Sequence, residues 1–206
     1  MRHSNNQIKI GSIATSEAEI RDLIKAWLAI SLAFALLLSS SVFSIDFYFK
    51  FILSALTVGI GFLLHELGHK VVAQRYGCFA EFRSFDSMLV FAIIMALFTP
   101  FVFAAPGAVM IAGKVNKRKN GIISAAGPIV NLALALIFLA LIFSGLPKLF
   151  KPAASYGFMI NSWLALFNML PFWQFDGYKI WKWNRIAYAS IAAIAFIFVF
   201  GQNFAG

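Results

Sequence analysis

The sequence predicts an all-α polytopic membrane protein. It has five transmembrane helices plus a re-entrant, partly β segment that dips into the membrane; six transmembrane helices are the alternative. Three observations lead there. Apolar residues make up 61% of the 206-residue chain and charged residues 12%, against roughly 45–50% and about 25% in soluble domains. So few polar groups cannot cover a water-facing globule, and lipid is the expected solvent for most of the chain. Several apolar runs approach or exceed the length of about 20 helical residues that crosses a bilayer core. Most Lys and Arg residues flank those runs.

The elements follow in order. Residues 1–26 are polar and mixed in charge, with no early apolar core of a secretory leader. They read as a cytoplasmic or interfacial N-terminal segment, and 27–206 as a single membrane domain. Ser16-Glu17-Ala18-Glu19 fits a capping box, in which Ser16 and Glu19 satisfy free backbone donors at a helix start. Ile20, Leu23, Ile24 and Trp27 then recur at helical spacing, so 16–26 reads as a short helix on the membrane surface. Spanning runs follow at 27–44, 47–76, 122–144, 156–171 and 186–204. The segment 88–112 is apolar but broken by Pro100, Pro106 and Gly107, and is too short for two crossings.

Charge chooses its path. If 88–112 crosses once, the 17 Lys and Arg residues divide nine to eight, without bias. If it returns to its own side, they divide fourteen to three, with only Lys50, Lys148 and Lys151 on the minority face. Short cytoplasmic loops concentrate Lys and Arg. The sequence therefore favours five spans with a cytoplasmic N-terminus, and places a strand near 104–111, shielded by protein because exposed sheet edges do not survive in lipid. The net charge of +9 reads as topology signal and headgroup contact, not as a nucleic-acid surface. The lone Cys78 excludes an internal disulfide.

His65-Glu66-Leu67-Gly68-His69 is a His-Glu-x-x-His motif on the second run. On a helix, residues i and i+4 share a face about one turn apart. Two imidazoles so placed can hold one zinc ion per chain, and Glu66 can activate a water beside it. Ionisable groups inside an apolar helix are costly and usually mark function. Zinc needs a third protein ligand. His3 lies in the N-terminal tail; downstream of the motif the only acids are Glu81, Asp86 and Asp176. Glu81, Asp86 and Cys78 sit just past the helix end, amid basic residues at the interface. Asp176 ends a separate span and would clamp the metal between helices, which favours it. With no Glu after Glu81, zinc proteases that use a distant downstream Glu as ligand are excluded.

The chain at this point resembles the site-2 protease family of intramembrane zinc metalloproteases. Three motifs match in order: Phe62-Leu63-Leu64 leading into His65-Glu66-Leu67-Gly68-His69, then Gly127-Pro128-Ile129-Val130-Asn131, then Asn168-x-x-Pro171 followed by Asp176-Gly177. They frame a core of 47–180. The resemblance implies zinc ligands His65, His69 and Asp176, a general base in Glu66, and substrate or oxyanion contacts from Asn168 and Asn131. It implies a transmembrane-helix protein substrate and a catalytic core of the second, third and fourth spans, and the charge-derived topology puts the active site on the cytoplasmic side. It also implies a membrane-dipping sheet between the metal helix and the Gly-Pro helix. This chain departs by a longer apolar insertion at 88–103, which suits a helix of its own. Gly127-Pro128 also suits a helix start, and Asn131 and Asn168 suit interhelical hydrogen bonds. Tyr178, Trp181 and Trp183 read as an interfacial aromatic belt. The rival reading is a membrane protein that binds metal without cleaving, a transporter or an inactive relative. Ionisable groups clustered at one depth favour catalysis over transport.

Overall fold

The computed structural model describes residues 7–11, 13–39, 41, 44–102, 106–145, 147–172 and 174–201. Arg2, His3, the 104–105 start of the expected strand, Trp173 and the 202–204 end of the last expected span lie outside them. The chain divides into two compact units, Met1–Gly113 and Lys114–Gly206.

The first unit opens on a hairpin that the sequence reading missed. Strands β1 (Gln7–Ile10) and β2 (Ile13–Ser16) pair antiparallel, turning through Gly11 at φ 62°, where glycine carries no steric penalty. Helix α1 then runs from Glu17–Leu38 without a break. The expected surface helix and first span are one element, because no Gly or Pro interrupts this stretch. Ser16 caps it as expected, its Oγ accepting the Glu19 N–H at 3.1 Å. The Glu19 carboxylate does not close the box; it is fully buried and engaged elsewhere.

Helix α2 (Ile45–Ser54) starts at Ser44, whose Oγ accepts from Phe47 N–H at 3.2 Å. It passes through a π-helical stretch, Ala55–Gly59, into α3 (Ile60–Arg75). Helix α3 stops where Gly77 takes φ 73°, with Gly77 N–H bonded to Gln74 O and Cys78 N–H to Ala73 O. A left-handed glycine there satisfies the last helical carbonyls. Strand β3 (Phe79–Ser84), helix α4 (Asp86–Phe98) and strand β4 (Gly107–Ala112) follow. Strands β3 and β4 pair antiparallel, with Phe82 opposite Val109. The expected strand is thus present in its described part, and the 88–103 insertion contains a helix of its own. At 13 residues, α4 is about 20 Å long, short of the roughly 30 Å core of a bilayer. It packs on α1 through Ala33, Ala92 and Ala96.

In the second unit, α5 (Lys117–Phe143) is capped by Asn116. Pro128 lies inside this helix, not at its start. The 3₁₀ turn Lys148–Phe150 leads into α6 (Lys151–Asn168), then α7 (Asp176–Trp183) and α8 (Arg185–Phe200). Leu132, Ala165, Met169, Ile180, Ile191 and Ala195 form a shared core. The three aromatic residues expected to form a belt differ in their surroundings. Trp181 is exposed with Arg185 over its ring, and Lys182 covers Tyr178. Trp183 instead packs where a Cβ on Gly121 would stand.

The chain is mostly helical. Among the described residues, two helices are long and apolar enough to cross a membrane: the continuous run Ile45–Arg75 and Lys117–Phe143.

Candidate metal centre

The cluster that could hold a metal ion, His65, Glu66 and His69, sits on α3, and the helix itself sets the spacing of its members. His65, Glu66 and His69 are 5%, 9% and 8% exposed, so water reaches them sparingly. The two imidazoles stand one above the other, rings 4.7 Å apart and nearly perpendicular. Their Nε2 atoms face each other at 3.1 Å. Two nitrogens held about 2.0–2.1 Å from a tetrahedral zinc lie roughly 3.3 Å apart, so the pair fits that ion with little movement. Donor atoms of His65, Glu66 and His69 all lie within 4.8 Å of one another. The two imidazoles suit zinc, and the Glu66 carboxylate stands beside them as a group that could activate a bound water.

The Glu66 carboxylate is oriented from outside its helix. The backbone N–H of Val109 on β4 donates to its Oε2 at 3.2 Å. That contact is absent from the sequence reading. A main-chain donor leaves no side-chain signature, and the two residues are 43 positions apart in the chain. The unexpected partner of Lys70 has a signal that could have found it. Lys70 follows the motif inside an apolar helix, and a buried cation requires a buried anion. The structure supplies Glu19.

The other expected site residues belong to the second unit. Asp176 opens α7 and is 6% exposed, with Lys179 Nζ at 3.6 Å from its Oδ1. Its neighbour must be glycine. A Cβ at Gly177 would overlap the backbone of Met169, so the start of α7 comes close against the end of α6 at this glycine. Asn168 ends α6; its Nδ2 donates to Leu164 O at 2.9 Å. Asn131 is fully buried on α5, and its Nδ2 donates to Asn161 on α6 at 3.1 Å. Asn161 in turn donates to Gly157 O at 2.9 Å. Of the alternative ligands, Glu81 pairs with Arg83 and accepts from Ser16, Asp86 pairs with Lys25, and Cys78 is buried.

A membrane-length helix carrying His-Glu-x-x-His with facing imidazoles defines a zinc metallopeptidase centre. Comparison with known proteins agrees. The family model of Peptidase family M50 matches residues 53–155, a stretch that holds His65, Glu66, His69 and Asn131 and ends before Asn168 and Asp176. A protein of Methanocaldococcus jannaschii, named as an inferred zinc metalloprotease, is 41% identical over 183 residues, covering 85% of this chain and 90% of its own. A similarly named protein of Bacillus subtilis is 31% identical over 61% of this chain and 65% of its own. Another, of Mycobacterium tuberculosis, is 26% identical over 58% of this chain and 52% of its own. No solved structure matches significantly. The chain belongs to peptidase family M50, the site-2 protease family, and is a zinc metalloprotease.

Proposed function

We propose that this metalloprotease is an intramembrane endopeptidase, cutting peptide bonds within or beside transmembrane segments of other membrane proteins. The observation that carries the reading is the position of the paired imidazoles and Glu66. They lie within Ile45–Arg75, in its C-terminal third, and that run is one of the two among the described residues long and apolar enough to cross a bilayer. The rival reading, metal binding without cleavage, has no support from the family.

His65 and His69 would hold the metal, and Asp176 is the proposed third protein ligand. A zinc ion bound there would supply Lewis acidity toward the attacking water and the scissile carbonyl oxygen. The Glu66 carboxylate would take a proton from the attacking water and deliver it to the departing amide nitrogen. The Val109 N–H, donating to Glu66 Oε2, would help to orient that carboxylate. Asn168 offers an amide N–H to the carbonyl oxygen as its charge grows. Asn131 acts at the seam of α5 and α6, holding the helices through Asn161. A substrate helix must unwind locally, because its own hydrogen bonds hide the scissile carbonyl.

The fuller architecture remains that of five spans with 84–112 re-entering from one side, the N-terminus and the active-site end facing the cytoplasm, and a core of 47–180. The fourteen-to-three division of Lys and Arg supports this orientation. The experiment is reconstitution in vesicles with a single-span reporter, the products mapped by mass spectrometry. Cuts within or beside the span, abolished by a zinc chelator, are expected. Cuts confined to soluble regions of the reporter would overturn the intramembrane assignment.

A further inference from the structure

Glu66 and Lys70 leave α3 four residues apart on one face, and a closed circuit of contacts joins them. Lys70, 1% exposed, forms an ion pair with Glu19, which is fully buried on α1. The other oxygen of Glu19 accepts the Phe82 N–H at 2.9 Å. Phe82 stands opposite Val109 across the β3–β4 sheet. In an antiparallel ladder every second cross-strand pair turns its amides outward. Phe82 and Val109 are such a pair: one amide meets Glu19, and the other meets Glu66. The path from α3 through Lys70, Glu19, Phe82 and Val109 returns to α3 at Glu66. The Phe82 ring is fully buried and edge-on to Phe62, one turn before Glu66 on α3. Gly107 leaves room for that ring.

Fold stability alone does not account for the pair. Charges taken out of water lose hydration, and apolar residues of similar volume often serve a fold equally well. An apolar side chain cannot accept the Phe82 N–H. We propose that Glu19 is a positioning residue for the general base. It holds the Phe82–Val109 pair in register, so that the Val109 N–H meets the Glu66 carboxylate in its working orientation. Thr15 helps to aim it, its Oγ1 donating to Glu19 Oε2 at 2.7 Å. The inference rests on the reading of Glu66 as the base.

The test compares two double variants of the full chain in vesicles, with zinc content, kcat and KM measured on the transmembrane reporter. Glu19→Leu with Lys70→Met removes the acceptor; Glu19→Gln with Lys70→Met keeps it without the charge. We expect the first to lower kcat by at least about tenfold, with KM and zinc content held within about twofold, as loss of a transition-state alignment should. The second should restore kcat to within about threefold of wild type, because an amide oxygen also accepts from Phe82. If the leucine variant does not fold, Glu19→Met with Lys70→Met gives the same comparison. Equal kcat in acceptor-free and acceptor-bearing variants would overturn the proposal, as would a kcat that falls only in proportion to zinc. Glu66→Gln measured alongside separates the two readings. Cleavage at the wild-type rate by that variant defeats the base assignment itself, and with it the role of Glu19. An inactive Glu66→Gln beside equal double variants defeats the role of Glu19 alone.

Discussion

At the scale of single residues, the centre depends on side chains that hold or orient others. Asp176→Ala should weaken zinc binding by more than the 10–100-fold, or about that, lost when an outer partner is removed. Competition with a chelator of known affinity measures it; unchanged affinity would return Glu81, Asp86 or Cys78 to consideration as the third ligand. Asn131→Ala and Asn161→Ala should each cost about 0.6–1.7 kcal/mol, the range of interhelical hydrogen bonds in membranes. The double variant should cost less than the sum, since both break one bond. Thermal unfolding in detergent checks this, and full additivity would speak against a shared bond. His65, Glu66 and His69 are legible in the sequence because helical spacing alone fixes their geometry once the helix is given. Val109 is not legible, because its contribution is a backbone N–H. The engagement of Glu19 is only half legible. Its place in a capping box is visible, yet the carboxylate goes to Lys70 and Phe82 when burial makes those the costlier groups to leave unpaired.

At the scale of elements, α7 is the sensitive one. It begins at Asp176, and its approach to Met169 leaves no room for a Cβ at Gly177. Gly177→Ala should therefore displace the start of α7, costing about 1–3 kcal/mol as overpacking does and lowering zinc affinity together with activity. Zinc titration and thermal unfolding on the same preparation test this; altered stability with unchanged zinc binding would separate the glycine from the metal site. The strand at Gly107–Ala112 and the helix in the 88–103 insertion are readable from the breaks at Pro100 and Pro106. The β1–β2 hairpin is not, because four-residue strands in a polar lead-in carry too short a pattern to stand out. Nor is the continuity of α1. The sequence changes from amphipathic to apolar within it, and a change in solvent is read as a change of element.

At the scale of the whole molecule, charge carries the account of orientation. Seven cations lie in 114–119 and 179–185, against two, Lys148 and Lys151, in the 3₁₀ turn and start of α6. A reporter inserted at 114–120 should therefore map to the cytoplasmic face, where short basic loops collect; the opposite face would overturn the five-span topology. Composition makes the lipid environment and the helical class legible, but not the number of crossings. Helix length and hydropathy single out Ile45–Arg75 and Lys117–Phe143, while α6 and α8, at 18 and 16 residues, fall near or below the length that spans alone. The most direct test of the proteolytic mechanism is zinc content and reporter cleavage measured on one preparation of wild type and Glu66→Gln. The account predicts equal zinc in both and cleavage reduced by about 10²–10⁴-fold in the variant, the contribution expected of a general base. Cleavage at the wild-type rate by a zinc-loaded Glu66→Gln would contradict it.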